Sequence, residues 1–224
     1  LGHIRMALAK SGDLVKRKIV VSAGGTREPI DPVRHITNRS SGKMGYALAE
    51  AARDRGADVV LVTAPTSLPD PALVKVVQVR TAEQMGEAIQ SHLKKADALI
   101  MAAAVADYRP AEAADQKIKK SEDDLNISLA KTTDILKSVK GDFVRVGFAA
   151  ESQNLVENAK AKVRSKQLDL IVANDITAEG SGFGSDTNKV TLIDRDLAVE
   201  ELPLLNKYDV SNRILDRVKG LFRD

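Results

Sequence analysis

The chain has 224 residues, 43% of them hydrophobic and none cysteine, which excludes disulfides, thiolate metal sites and a cysteine nucleophile. Charged residues make up 29%, and 34 Lys and Arg are nearly balanced by 31 Asp and Glu, for a net charge of +3. With aromatics at 3% this balance supplies neither the basic face nor the stacking platform of a nucleic-acid binder, and no apolar run approaches the ~20 residues of a membrane-spanning helix.

A chain of this size buries roughly 70% of its extended surface, enough for one substantial core. The basic Leu1 to Lys18 lead-in has no apolar segment or cleavage site of a secretion signal, so a cytoplasmic protein is expected. Residues 1–16 are read as a linker and residues 17–224 as the domain. Lys18 to Ser22 is a β-branched run stopping at Ala23-Gly24-Gly25-Thr26, which predicts a buried strand ending in a glycine loop. A helix is predicted after Ser41-Gly42, because Met44, Leu48, Ala51 and Ala52 recur at three- and four-residue spacing and Gly56 marks a C-terminal end. Asp58 to Thr63 follows as a strand, Thr81 to Lys94 as a helix with Met85, Ala88, Ile89 and Leu93 inward, and Asp97 to Ala104 as a third strand.

Ala106 to Ala130 breaks the alternation. It carries Pro110, Lys117-Ile118-Lys119-Lys120 and Glu122-Asp123-Asp124 without a sustained apolar period, and is read as a long mobile loop with a short strand at Leu125 to Leu129. Beyond it come a helix near Thr133 to Val139, a strand at Arg145 to Phe148, a helix from Gln153 to Lys166 and a strand at Asp169 to Ala173. A glycine-rich loop at 179–188, two antiparallel strands at Lys189 to Ile193 and Ala198 to Glu201, and a helix from Lys207 to Leu221 close the chain. Strand–helix alternation predicts an α/β, Rossmann-like fold, with a mostly parallel sheet and helices on both faces.

In such a sheet, ligands bind beyond the carboxyl ends of the strands. Gly24-Gly25-Thr26, Ala102 to Asp107 and Gly147 to Glu151 fall there, and their small residues let a flat ligand or a phosphate approach the backbone. The helix start after Ser41 offers free N–H groups and a positive dipole to an anion. The common nucleotide motifs fail on spacing. Gly42-Lys43 is preceded five places back by Thr37 rather than glycine, no G-x-G-x-x-G occurs, and neither Tyr46, Tyr108 nor Tyr208 has a lysine four residues on. His3, His35 and His92 show no metal-ligand spacing.

The run from Gly24 to Arg34, GGTREPIDPVR, leading into Ile36 to Gly45, ITNRSSGKMG, closely resembles the opening of phosphopantothenate-cysteine ligases. Ala103 to Tyr108, Lys117 to Lys120, Gly147 to Glu151 and Ala173-Asn174-Asp175 are similar to that family's later motifs, in the same order. The resemblance implies joining of 4′-phosphopantothenate to L-cysteine with CTP and Mg²⁺, through an acyl-cytidylate. It also implies a homodimer, and fusion to a flavin-dependent decarboxylase in the full-length protein. Asn38 corresponds to the asparagine that handles the acyl intermediate and Lys117 to the active-site lysine. Asp107, Phe148, Lys162, Lys166 and Thr133-Asp134-Ile135-Leu136 correspond to nucleotide-contacting positions, with Gly24, Gly25, Ser40, Ser41, Gly42, Ala103 and Ala104 in the surrounding loops. Thr133 departs from the family, which commonly has proline there. Lys162 and Lys166 lie one helical turn apart, so both can face one anion. Asp107 is the candidate for holding Mg²⁺.

Overall fold

The computed structural model describes residues 12–120, 124–151, 153–175, 180–182 and 184–222. The chain runs β1 (Lys18–Ala23), β2 (Arg27–Pro29), β3 (His35–Thr37), α1 (Lys43–Asp54), β4 (Asp58–Thr63), β5 (Lys75–Gln78), α2 (Ala82–His92), β6 (Ala98–Met101), β7 (Tyr108–Pro110) and β8 (Leu129–Lys131). It continues through α3 (Ile135–Ser138), β9 (Val144–Glu151), α4 (Leu155–Lys166), β10 (Leu170–Asp175), β11 (Thr187–Asn188), β12 (Val190–Asp194), β13 (Val199–Glu201), β14 (Leu205–Asn206) and α5 (Lys207–Leu221).

The main sheet has the order β13-β12-β10-β9-β6-β1-β4-β5, parallel from β5 to β10, with β12 and β13 added antiparallel. Ile19 and Val21 pack on one face of it and Val20 on the other, yet all three are fully buried because helices cover both faces. On the first face lie α1 and α5, through Leu48, Ala52, Val210, Ile214 and Val218. On the second face α2 contributes Met85 and Ile89, and α4 contributes Ala159 and Val163.

Helix α1 lies unusually close to β1. A Cβ at Gly45 would stand 2.6 Å from Ala23 Cβ and 2.7 Å from the Ser22 carbonyl oxygen, and a strand carbonyl cannot rotate aside. Gly45→Ala is therefore expected to cost about 2 kcal/mol or more. Gly86 on α2 has Ile135 Cγ1 at 3.6 Å as its nearest neighbour, so Gly86→Ala should gain up to ~1 kcal/mol of helix propensity. Denaturant midpoints moving in opposite directions would confirm the contrast; a neutral Gly45→Ala would refute it.

Several sequence expectations shift. The strand predicted through Ala104 ends at Met101, because Ala103 N–H turns to Ser22 Oγ at 3.1 Å. Pairing resumes at Ala104, which forms a parallel bridge with Gly25 by donating its N–H to Gly24 O at 2.8 Å and accepting from Thr26 N–H at 3.3 Å, so the predicted strand is interrupted and then touches the ladder again at its last residue. The strand expected at Leu125 to Leu129 is instead β8, paired antiparallel with β7, so the two ends of the supposed loop pair as a two-stranded arm. The helix expected over 133–139 is a single turn started by Asp134, whose side chain accepts from Lys137 N–H. The β2–β3 hairpin, the edge strand β5 and the β11–β14 pair were not anticipated.

Residues 1–11 of the expected linker lie outside the described residues. Leu14, farther along the same segment, is fully buried and donates its N–H to Arg55 O at 3.0 Å. Asp13 beside it pairs with Arg55 at 2.7 Å and Lys219 at 3.1 Å. The Arg55 hydrogen bond is the main cause holding the Asp13 carboxyl down at about 2. Because the folded value is depressed, this stabilisation is present above the unfolded value of ~3.9 and fades as pH falls toward 2. Asp13→Asn should lower the melting temperature at neutral pH, by less than about 1 kcal/mol in stability terms given solvent screening, and should match wild type near pH 2. A difference between the two that persists unchanged in acid would contradict this reading.

Candidate functional site

The carboxyl ends of β6, β9 and β10 open into a cleft of about 970 Å³, at the upper end of the size range for ligand sites. Its near wall is the turn from Asn38 into α1. Gly42 enters the helix at φ 79°, a left-handed conformation that favours glycine, and a Cβ there would meet Thr66 Cγ2 at 2.6 Å. Gly42 N–H reaches Ser40 Oγ at 3.3 Å and Lys43 N–H reaches Ser41 Oγ at 3.4 Å, so the two serines shape the turn. Asn38 Nδ2 donates to Val105 O at 3.2 Å and, more weakly, to Ala104 O at 3.4 Å, tying this turn to the loop after β6.

Most of the residues predicted from sequence converge here. Asn38, Ser40, Ser41 and Gly42 line the cleft with Ala103, Ala104 and Asp107 on the β6 side. Thr133, Asp134, Ile135 and Leu136 line it at the start of α3, and Phe148, Lys162 and Lys166 across from them. Gly24 and Gly25 do not line it. They lie behind the wall, where a Cβ on Gly24 would meet Ala64 O at 2.7 Å and one on Gly25 would meet Asn38 O at 2.8 Å. Their small size lets the loops that do line the cleft come together.

Lys117 does not line the cleft either. It is exposed on the arm, whose root is held at the cleft rim by Thr132 N–H to Asp107 O at 3.0 Å and Thr132 Oγ1 to Ala106 O at 2.6 Å. Its neighbour Ile118 is fixed at both backbone polar atoms. The N–H donates to Asp31 Oδ2 at 3.2 Å and the carbonyl accepts from Arg34 at 3.1 Å.

The cleft wall carries Arg39, Lys43, Lys162, Lys166 and Lys207 against Asp107 and Asp134, a clear positive balance. Lys162 and Lys166 line the same cleft, Lys162 paired with Glu151 at 2.6 Å and Lys166 with Asp134 at 3.0 Å. Burial opposes the charged form of Glu151, but hydrogen bonds from Lys162 and Asn158 outweigh it and keep the carboxyl below its ordinary range. Among the described residues no cluster of three or more His, Asp and Glu forms a metal cage, and Asp107 offers an exposed carboxylate in the cleft.

Sequence reasoning missed the far wall. Asn174, Ser181, Gly182, Asn188 and Lys207 line it, brought together from β10, the glycine-rich loop, β11 and the start of α5. Asn174 stood in a quoted motif, but Asn188 and Lys207 are single residues between a loop and a regular element. Only their burial, at 3% and 6% exposure, reveals them.

The family model for the DNA/pantothenate metabolism flavoprotein C-terminal domain matches residues 14–221. The coenzyme A biosynthesis bifunctional protein CoaBC of Bacillus subtilis (strain 168) is 46% identical over 225 residues, covering 99% of this chain and 55% of that protein. The chain thus spans about half the length of the curated relatives it matches. The crystal structure of the C-terminal domain of CoaBC is similar with a TM-score of 0.81 at 43% identity, over 94% of this chain and 97% of that chain. A Cab2 mutant in complex with phosphopantothenate-cysteine, 15% identical, shares the fold with a TM-score of 0.75 over 98% of this chain and 91% of that chain.

Proposed function

This chain belongs to the family of DNA/pantothenate metabolism flavoprotein C-terminal domains, and we propose that it is a ligase of coenzyme A biosynthesis, joining 4′-phosphopantothenate to L-cysteine with CTP. The observation that carries the reading is a cleft of about 970 Å³ with an excess of basic side chains, roomy enough for a nucleotide and an acyl chain together. In the proposed reaction the substrate carboxylate attacks the α-phosphate of CTP and pyrophosphate leaves. The cysteine amine then displaces CMP from the acyl-cytidylate to form the amide.

Bringing a carboxylate against a triphosphate requires nearby cations to offset the charge that builds at the phosphorus. Lys162 and Lys166 supply two, each on α4 and each steadied by a carboxylate. Asn38 presents an amide beside the alanine loop, where the acyl carbonyl would lie, and Thr133 to Leu136 form the wall for the nucleoside. Magnesium commonly rides on substrate phosphates with one or two protein carboxylates, and Asp107 fits that role; when bound, the ion spreads the charge of the departing pyrophosphate.

Homodimerisation belongs to the same proposal and is supported by apolar side chains exposed on the arm: Tyr108 at 47%, Leu125 at 52% and Leu129 at 50%. A flavin-dependent decarboxylase as the companion activity is supported by the bifunctional names of the relatives. No helix among the described residues is long and apolar enough to cross a membrane. A cytoplasmic location belongs to the same proposal and is supported by the bacterial coenzyme A biosynthesis relatives.

Incubation with CTP, Mg²⁺, phosphopantothenate and cysteine should yield pyrophosphate, CMP and the amide in equal amounts, and a parallel incubation with ATP decides between the two nucleotides. If neither pyrophosphate nor CMP formed while a competent relative turned over in parallel, the assignment would fail.

A further inference from the structure

The amino ends of the strands, opposite the cleft, carry a basic face that the proposed reaction does not use. Asp97 N–H donates to Lys18 O at 2.8 Å and Val144 N–H to Asp97 O at 2.9 Å, so the entries to β1, β6 and β9 stand side by side. Lys16 leads into β1, Lys94 and Lys95 lead into β6, and Lys140 precedes β9. Lys18 Nζ donates to Lys94 O at 3.1 Å, which joins the first two entries. Val139 and Phe143, either side of Lys140, pack in one cluster with Leu93 and Ala96, which joins the second and third.

Lys16, Lys94, Lys95 and Lys140 are exposed, and none of them makes an ion pair with another described residue. The carboxylates among them are largely engaged. Asp97 is held by Arg17 at 3.0 Å and by Lys18 N–H at 2.7 Å, and Asp169 by Arg195 and by Arg145 N–H at 2.7 Å. Asp58 and Asp142 are exposed nearby, two carboxylates against four ammonium groups. Lys16 at φ 68° and Lys95 at φ 61° also occupy left-handed positions that favour glycine, so charge stands where backbone preference does not ask for it.

The chain enters the domain at this same end, and the entry is fixed. Leu14 is buried in the core with α1 and α5, Asp13 pairs with Arg55 and Lys219, and the Arg17 guanidinium lies 4.6 Å over the Phe222 ring. A body tethered ahead of Asp13 is therefore held beside the lysine face with no slack from residue 13 onward. The relatives are bifunctional, the matched region is 55% of the Bacillus subtilis protein, and the similar crystal structure is of a C-terminal domain.

We propose that Lys16, Lys94, Lys95 and Lys140 form the docking face for an acidic surface of the companion catalytic domain in the full-length protein. This rests on the bifunctional part of the reading above. Such a contact is electrostatic and weakened by salt, because exposed ammonium groups keep most of their water. A short tether sets the effective concentration of the joined domain at roughly millimolar, so a weak contact suffices to hold one orientation. None of the four lysines lines the cleft, so docking here leaves the ligase site open to its substrates.

Zero-length carbodiimide coupling of the intact full-length protein, followed by peptide mass spectrometry, tests the contact. Lys94, Lys95 and Lys140 should join to Asp or Glu of the companion domain severalfold more often than Lys189, which is exposed at the opposite end of the sheet. Salt at about 1 M, which shortens the Debye length to about 3 Å, should abolish the excess. The triple variant Lys94→Glu, Lys95→Glu, Lys140→Glu should show a larger radius of gyration than wild type by small-angle scattering at low salt. Its ligase turnover with free substrates should stay within about twofold of wild type, as expected for charges away from the cleft. Coupling no more frequent than at Lys189, coupling confined to a second ligase domain, or an unchanged radius of gyration would each overturn the proposal. Decarboxylation by the companion domain without this coupling would remove the docking face and keep the bifunctional reading. Coupling to a companion domain that decarboxylates nothing would keep the face and remove that activity.

Discussion

Lys117→Gln is expected to slow CTP-dependent pyrophosphate release by about a hundredfold or more, the scale seen when a charge-stabilising group is removed from a site of phosphoryl or acyl transfer. Glutamine is one bond shorter than lysine but stays polar, so the main change is loss of the cation. The structure adds a condition, because Lys117 stands on the arm and away from the cleft wall. Asp31 accepts from Val33 N–H at 2.9 Å, Arg34 N–H at 2.8 Å and Ile118 N–H at 3.2 Å, besides its ion pair with Arg34. The Arg34 hydrogen bond, foremost among these, holds the Asp31 carboxyl well below the usual carboxylate range, so the clamp on residue 118 stays charged across ordinary pH. The lysine must therefore reach a triphosphate by movement of the arm in its own chain or by serving the cleft of a second copy. Mixing Lys117→Gln with Asn38→Ala restores turnover only in the second case. Pyrophosphate release at the wild-type rate in Lys117→Gln would remove the residue from the activation step altogether.

The main sheet was legible because its strands are short β-branched runs separated by helices with a clear apolar period. The closing helix was found at its predicted bounds, Lys207 to Leu221, since Val210, Ile214 and Val218 repeat at helical spacing. Edge strand β5, KVVQ, escaped notice because it is neither fully buried nor alternating. The β2–β3 hairpin was hidden by Pro29 and Pro32, which read as loop, whereas Asp31 organises the turn through hydrogen bonds that no periodicity reports. Ala102 to Ala104 were drawn into a strand because small apolar residues carry no signal of where a ladder stops. It is interrupted where Ser22 Oγ takes the Ala103 N–H, and a single bridge from Ala104 to Gly25 follows.

The candidate site divides the same way. Its near wall lies in continuous motifs, and the residues carried by resemblance fall on the cleft with the exception of Gly24, Gly25 and Lys117. Its far wall is assembled from Asn174, Ser181, Asn188 and Lys207, whose contacts span the loop between β10 and α5. Nothing in the local sequence around Asn188 or Lys207 marks either as facing a ligand. Their placement is a property of the packed loop, created when Lys207 reaches back to Gly182 and Ser185.

Asn38→Ala is expected to separate the two half-reactions, lowering amide formation by about a hundredfold while pyrophosphate release changes only a few-fold. The reason is location. Asn38 Nδ2 is held at 3.2 Å from Val105 O, in the loop that carries Ala103 and Ala104 on the cleft wall, whereas the basic side chains that would meet the triphosphate stand on α1, α4 and α5. Gly25 supports this arrangement, since any Cβ there would collide with the Asn38 carbonyl and push the turn away. A group so placed acts on the acyl carbon as the amine arrives, after the nucleotide bond has been made. Rapid quenching with cysteine present should then show the acyl-cytidylate accumulating in Asn38→Ala and not in wild type. Asn38→Asp provides the control for mere bulk: it preserves size but sets a carboxylate against the carbonyls of Ala104 and Val105, so it should lose amide formation as well. If Asn38→Ala lowered both half-reactions equally, the asparagine would be a brace of the α1 turn, and handling of the acyl group would have to be sought among the backbone N–H groups of the alanine loop.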